Sequence, residues 1–122
     1  MEMDKVNLVE KLAKFSDLWT PKVIAEMNNY QFKLVKIKGE FVWHEHHNTD
    51  EAFIVLEGKM RIEFENDNSV ELTEGEMFIV PRGLRHKPCA DEECRVMLVE
   101  PRGVVNTGNA DSKLTAPNDE WV

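Results

Sequence analysis

Residues Gly39–Gly58 read GEFVWHEHHNTDEAFIVLEG, and the rest of the chain is best read outward from this stretch. Three of the four histidines fall in it, as His44-Glu45-His46-His47. Extended backbone sends alternate side chains to opposite faces, so His44 and His46 project to one side while Glu45 and His47 project to the other. Two imidazoles on one face can share one ion. Glu51 follows at the head of the apolar run Ala52-Phe53-Ile54-Val55-Leu56, where a returning strand would bring its carboxylate beside them. The fourth histidine, His86, opens a different strand. Three imidazoles and one carboxylate form a mixed N/O shell suited to divalent Fe, Mn, Ni, Co, Cu or Zn, with one or two octahedral positions left for water or substrate. Two rivals stay open: a β-bulge would swing His47 into the place of His46, and Asp50 competes with Glu51.

Downstream, Glu57-Gly58 reads as a turn, after which Met60, Ile62 and Phe64 alternate with Lys59, Arg61, Glu63 and Glu65 in a half-buried strand. Turn residues flank Val70 to Leu72, and Met77 to Val80 is the next strand. Arg85 to Cys89 and Cys94 to Glu100 complete a series of short strands. A hairpin loop at Ala90-Asp91-Glu92-Glu93 between them would set Cys89 opposite Cys94. The preferred reading is two reduced thiols, because the chain suits a reducing compartment. Upstream, Val23 to Met27 and Tyr30 to Ile37 flank an Asn28-Asn29 turn, with continuation through Gly39 toward the histidines. Leu8, Val9, Leu12 and Phe15 recur at helical spacing, which predicts one amphipathic helix from Asp4, as N-cap, to Phe15.

These elements predict an all-β antiparallel domain with a short N-terminal helix. Residues 1–20 are the helix and lead-in, 21–100 the barrel, and 101–122 a Gly-, Asn- and Pro-containing tail that is either mobile or docked. The chain has 122 residues, enough for one packed core. Its 15 basic and 23 acidic side chains give a net charge of -8, the wrong sign for a nucleic-acid partner. Its apolar runs are too short to cross a bilayer. Met1-Glu2-Met3-Asp4-Lys5 lacks the layout of a secretory signal, so the expected location is the cytoplasm.

Gly39–Gly58 resembles the first cupin motif, G-x5-H-x-H-x(3,4)-E-x6-G, and Gly75–Ala90, GEMFIVPRGLRHKPCA, resembles the second, G-x5-P-x-G-x2-H-x3-N. The resemblance implies a double-stranded β-helix, the jelly-roll barrel of cupins, and puts the metal ligands on His44, His46, Glu51 and His86. Two departures exist: one residue fewer separates Gly39 from His44, and Ala90 stands where the motif closes on Asn. Period two from Glu51 and His86 gives a candidate pocket wall of Phe53, Val55, Pro88 and Ala90. Met60 and Ile62 are added to the wall, although with Phe64 they also suit plain barrel core. Trp43 faces away from the metal. Arg82 and Arg85 flank the turn before His86, so no cation is placed to grip a phosphosugar. The expected ligand is a small organic molecule. The expected activity is metal-dependent, oxygenase- or isomerase-like, with a non-catalytic ligand- or metal-binding cupin as the alternative. Pairing of two copies into a homodimer is compatible with both.

Overall fold

A computed structural model describes residues 3–122. One short helix, α1 (Leu8–Leu12), precedes seven strands: β1 (Lys22–Met27), β2 (Tyr30–Glu40), β3 (Glu51–Glu57), β4 (Lys59–Phe64), β5 (Ser69–Thr73), β6 (Met77–Val80) and β7 (His86–Pro101). All strand pairs are antiparallel, in the order β1-β2-β7-β3-β6, with β4 pairing both β7 and β5. This is the double-stranded β-helix that the motifs imply. No helix among the described residues is long and apolar enough to cross a membrane.

The helix is shorter than its periodicity suggested, and its cap is Asn7 rather than Asp4. The Asn7 side chain accepts the Glu10 N–H at 3.0 Å. Val6, just before it, stays exposed. Leu12, with Leu8 and Phe15 beside it, covers Leu34 and Ile24 on the outer face of the sheet. Burying Leu12 contributes about 2 kcal/mol.

The expected hairpin between Cys89 and Cys94 does not form. β7 runs unbroken through both residues, so they follow one another along one strand instead of facing across two, and both are free thiols. Ala90-Asp91-Glu92-Glu93 contains no glycine or asparagine, the residues that most favour a tight hairpin turn. The chain bulges there instead: Gly39 pairs with Ala90 and Ile37 with Cys94, so Asp91, Glu92 and Glu93 together oppose Lys38. The bulge lies where β7 passes from β4, which pairs with His86–Cys89, toward β3, which pairs with Arg95–Val99.

Gly58 turns the chain between β3 and β4 at φ 93°. A Cβ there would stand 3.1 Å from the Glu93 carbonyl oxygen, so both backbone and space demand glycine. The interior is filled by Val55, Met60, Ile62, Leu72, Cys94 and Val96 among others. Beyond Pro101 the chain lies along the barrel. Val23 N–H donates to Glu120 O at 2.7 Å, Val122 N–H donates to Val23 O at 3.2 Å, and Lys22 pairs with Glu120. Trp121 remains half exposed, so this docking rests on the backbone bonds, the Lys22–Glu120 pair and Val122 against the outer apolar cluster rather than on burial of its ring.

Candidate metal centre

His44 and His46 lie just after β2, in extended chain outside any strand, and Glu51 opens β3. His86 opens β7. The backbones of His44 and His86 exchange two hydrogen bonds, at 3.0 and 2.9 Å, which brings the two motifs together. His44, His46, Glu51 and His86 are buried at 2, 7, 3 and 0% exposure. Each offers a ligand atom, and those atoms all lie within 4.8 Å of one another. Ligands at about 2.1 Å from one ion stand roughly 3 to 4 Å apart, so the cluster has the scale of a coordination shell.

The imidazole tautomers follow from hydrogen bonding. His44 Nδ1 lies 2.9 Å from Val42 O, and His86 Nδ1 lies 2.8 Å from Leu84 O. A carbonyl only accepts, so each Nδ1 carries a proton, and a ring that carries no second one presents its Nε2 lone pair inward. His46 Nε2, His86 Nε2 and Glu51 Oε1 are buried without a hydrogen-bond partner. The Glu51 oxygen stands 3.6 Å from His46 Nε2 and 3.7 Å from His86 Nε2, longer than hydrogen bonds. Buried lone pairs without partners are costly, and converging ones fit a divalent ion.

Burial, with the neighbouring His86 second, lowers the His44 pKa to about 4 and keeps its ring neutral. Burial works to raise the Glu51 carboxyl, but His46 and His86 outweigh it and hold Glu51 well below the usual carboxylate range. Glu100 lies behind it, because Ala52 pairs with Val99 on the adjoining strands. Burial first, and the Glu51 charge second, push the Glu100 carboxyl well above its ordinary range, opposed by Lys33 at 3.2 Å. One carboxylate of the pair is ionised and the other favours its proton.

The structure separates the two pairs of rivals. His47 is exposed while His46 is buried, so no bulge exchanges them. Asp50 is exposed and accepts hydrogen bonds from the Arg82 backbone N–H and Nε, at 2.9 and 3.2 Å. Trp43 lies away from the cluster beneath Arg85 and Lys87, whose cationic groups stand 5.3 and 5.5 Å from its ring.

A small apolar pocket of about 30 Å³ lies against His44 and Glu51. Phe53 and Pro88 line it, as the strand period required. Val55, Met60, Ile62 and Ala90, also expected there, do not line it, although they pack in the same apolar cluster as its walls. Continuing the same period along β7 reaches Val96 and Leu98, which do line the pocket, and then Glu100; the bulge adds two residues and so preserves the parity. Val35 and Ile37 of β2 complete that wall. Trp19 and Phe41 stack in it, with centroids 4.6 Å apart and planes 18° from parallel. Trp19 Nε1 donates to Lys38 O at 3.0 Å, and Asn106 reaches the same pocket from the segment after the barrel. Neither residue sits in a periodic run, so no sequence signal marked them.

The cupin-domain family model matches residues 33–100. Among solved structures, the chain is similar to a cupin-2 domain containing protein from Shewanella frigidimarina, at 55% identity and TM-score 0.78, covering 80% of this chain and 94% of that one. A protein from Neisseria meningitidis is similar at 34% identity and TM-score 0.74, covering 80% of this chain and 99% of its own. The uncharacterized protein YdbB of Bacillus subtilis is 36% identical over 78 residues, 64% of this chain, and the match spans 63% of that relative's length.

Proposed function

This chain belongs to the cupin family, and on that premise we propose that it binds one divalent transition-metal ion through His44, His46, Glu51 and His86 and acts on a small organic molecule in the adjoining pocket. The reading is carried by the three buried atoms His46 Nε2, His86 Nε2 and Glu51 Oε1, which converge without partners. When bound, such an ion supplies Lewis-acid or redox chemistry at its open positions. The donor set accommodates Fe, Mn, Ni, Co, Cu or Zn.

The protein's own contribution is orientation and exclusion of water. Val42 O and Leu84 O fix two imidazoles in the tautomer that frees Nε2. Phe53, Val96 and Leu98 present hydrocarbon to the ligand. No lysine or arginine lines the pocket among the described residues: Arg82 is turned to Asp50 and Arg85 to Trp43. A compact, largely apolar molecule with an oxygen donor for the ion fits this wall, and a phosphosugar does not. An enzyme of oxygenase or isomerase type is the fuller reading, and a cupin that holds a ligand or metal without turnover is the alternative. A homodimer is also proposed, supported by Met77 and Ile79, each 53% exposed on the edge strand β6; light scattering measures it.

Metal analysis of the purified, reconstituted protein tests the central reading. Close to one equivalent per chain is expected, with Glu51→Gln and His86→Ala losing most of it. Less than a tenth of an equivalent in the wild type after reconstitution rejects it. Oxygen uptake over a panel of small diketones and catechols then separates turnover from simple binding.

A further inference from the structure

The three imidazoles are not held alike. His44 and His86 each place Nδ1 on a carbonyl two residues earlier, and their backbones pair with each other. His46 has no such Nδ1 bond among the described residues, and its backbone lies outside any strand. Its carbonyl accepts the Gly83 N–H at 2.8 Å. The rest of its setting comes from the segment after the barrel.

Gly108 packs directly on this stretch. A Cβ added there would stand 2.3 Å from Glu45 O and 3.2 Å from His46 Nδ1, so only glycine fits without displacement. Asn109 holds the Glu45 backbone from both sides: its N–H donates to Glu45 O at 3.2 Å, and its Oδ1 accepts the Glu45 N–H at 3.0 Å. The segment is itself anchored. Asn106 Nδ2 donates to Trp19 O at 3.0 Å and to Leu114 O at 2.9 Å, while its Oδ1 accepts the Ala116 N–H at 2.9 Å. Thr107 is fully buried, its hydroxyl 2.7 Å from that of Thr115.

We propose that Gly108 and Asn109, which lie beyond the residues matched to the cupin domain, are positioning residues for the site: they clamp Glu45–His46 so that His46 presents Nε2 to the cluster. The clamp replaces the carbonyl hydrogen bond that orients the other two rings. The inference rests on the metal reading above. It makes the C-terminal segment a working part of the centre.

The test compares Gly108→Ala and Asn109→Ala with Gly103→Ala in the full chain. Gly103 also has positive φ, at 91°, but a Cβ there meets nothing within 4 Å, so this control carries backbone strain without a clash. Co(II) titration reads affinity and, through the visible spectrum, coordination. Gly108→Ala is expected to weaken Co(II) binding by about tenfold or more and to alter the spectrum. Asn109→Ala should weaken it less, and Gly103→Ala should leave it unchanged. In the metal-free protein, the Glu45 amide should exchange with solvent faster and the His46 ring NMR signal should broaden in the first two variants only. Wild-type Co(II) affinity and spectrum in both variants overturn the proposal, even where melting temperatures fall. A wild type that takes up no Co(II) defeats the metal reading instead. The clamp is then decided by amide exchange and the ring signal, and wild-type behaviour of both overturns it.

Discussion

Two charged clusters sit side by side within this barrel, and they differ in one respect. Lys33 and Glu100 are 3 and 2% exposed at their side chains and close on each other at 3.2 Å. Glu51 and its imidazoles are equally buried, yet the carboxylate stays 3.6 to 3.7 Å from His46 and His86, and all three converging atoms lack hydrogen bonds. The first cluster closes through Glu100 Oε2 on the lysine, with only Glu100 Oε1 left without a partner. The second holds its donors apart at the spacing of a coordination shell. The contrast separates a polar group that completes the fold from one arranged for something outside it.

This contrast is sharpened most by removal of the lysine. Lys33→Met removes the buried hydrogen bond to Glu100 and leaves that acid to hold its proton beside Glu51, and should cost about 2 to 3 kcal/mol in denaturant melts. Glu51→Gln keeps the size of a side chain that stands 3.6 to 3.7 Å from its imidazoles without a hydrogen bond, and should change metal-free stability less. Equal losses from the two substitutions would break the distinction.

Acid is the next lever. His44 titrates at about 4 when folded against 6.5 as a free side chain, so as pH falls the unfolded chain takes up the proton first. Its contribution to metal-free stability is complete above about pH 6.5 and is lost as pH drops toward about 4, by roughly 3 kcal/mol. Melts of wild type and His44→Gln across that range check this. A wild-type slope no steeper than the variant's counts against it.

The smallest effect concerns the thiols. Burial pushes both Cys89 and Cys94 up to about 11, and they share one strand, so neither should react with a thiol reagent at pH 8 until the chain unfolds. Two thiols should then titrate. Rapid labelling of the folded chain would mean that the β7 bulge opens.

The ligand candidates were legible because each depends on the two-residue period of extended chain and on motif spacing. Both are local properties. The same period finds Val96 and Leu98 once β7 is known to be continuous, and it was lost at Ala90 because acidic residues looked like a loop. The polar side chains of Asp91, Glu92 and Glu93 are exposed at a bulge, which resembles a turn in composition though not in path. The helix cap failed for a related reason: Asp4 and Asn7 are both competent caps, and only the packing of Leu8 and Leu12 selects between them.

By itself, then, the sequence determined the barrel class and singled out the four candidate donors, since alternation and motif spacing act within a few residues of each side chain. The tertiary structure alone decided that Lys33 closes on Glu100, that Trp19 and Asn106 reach the pocket, and that Gly108 lies against His46. Those contacts join segments far apart in the chain. Their partners are chosen by where the barrel brings backbone together, which no local pattern encodes.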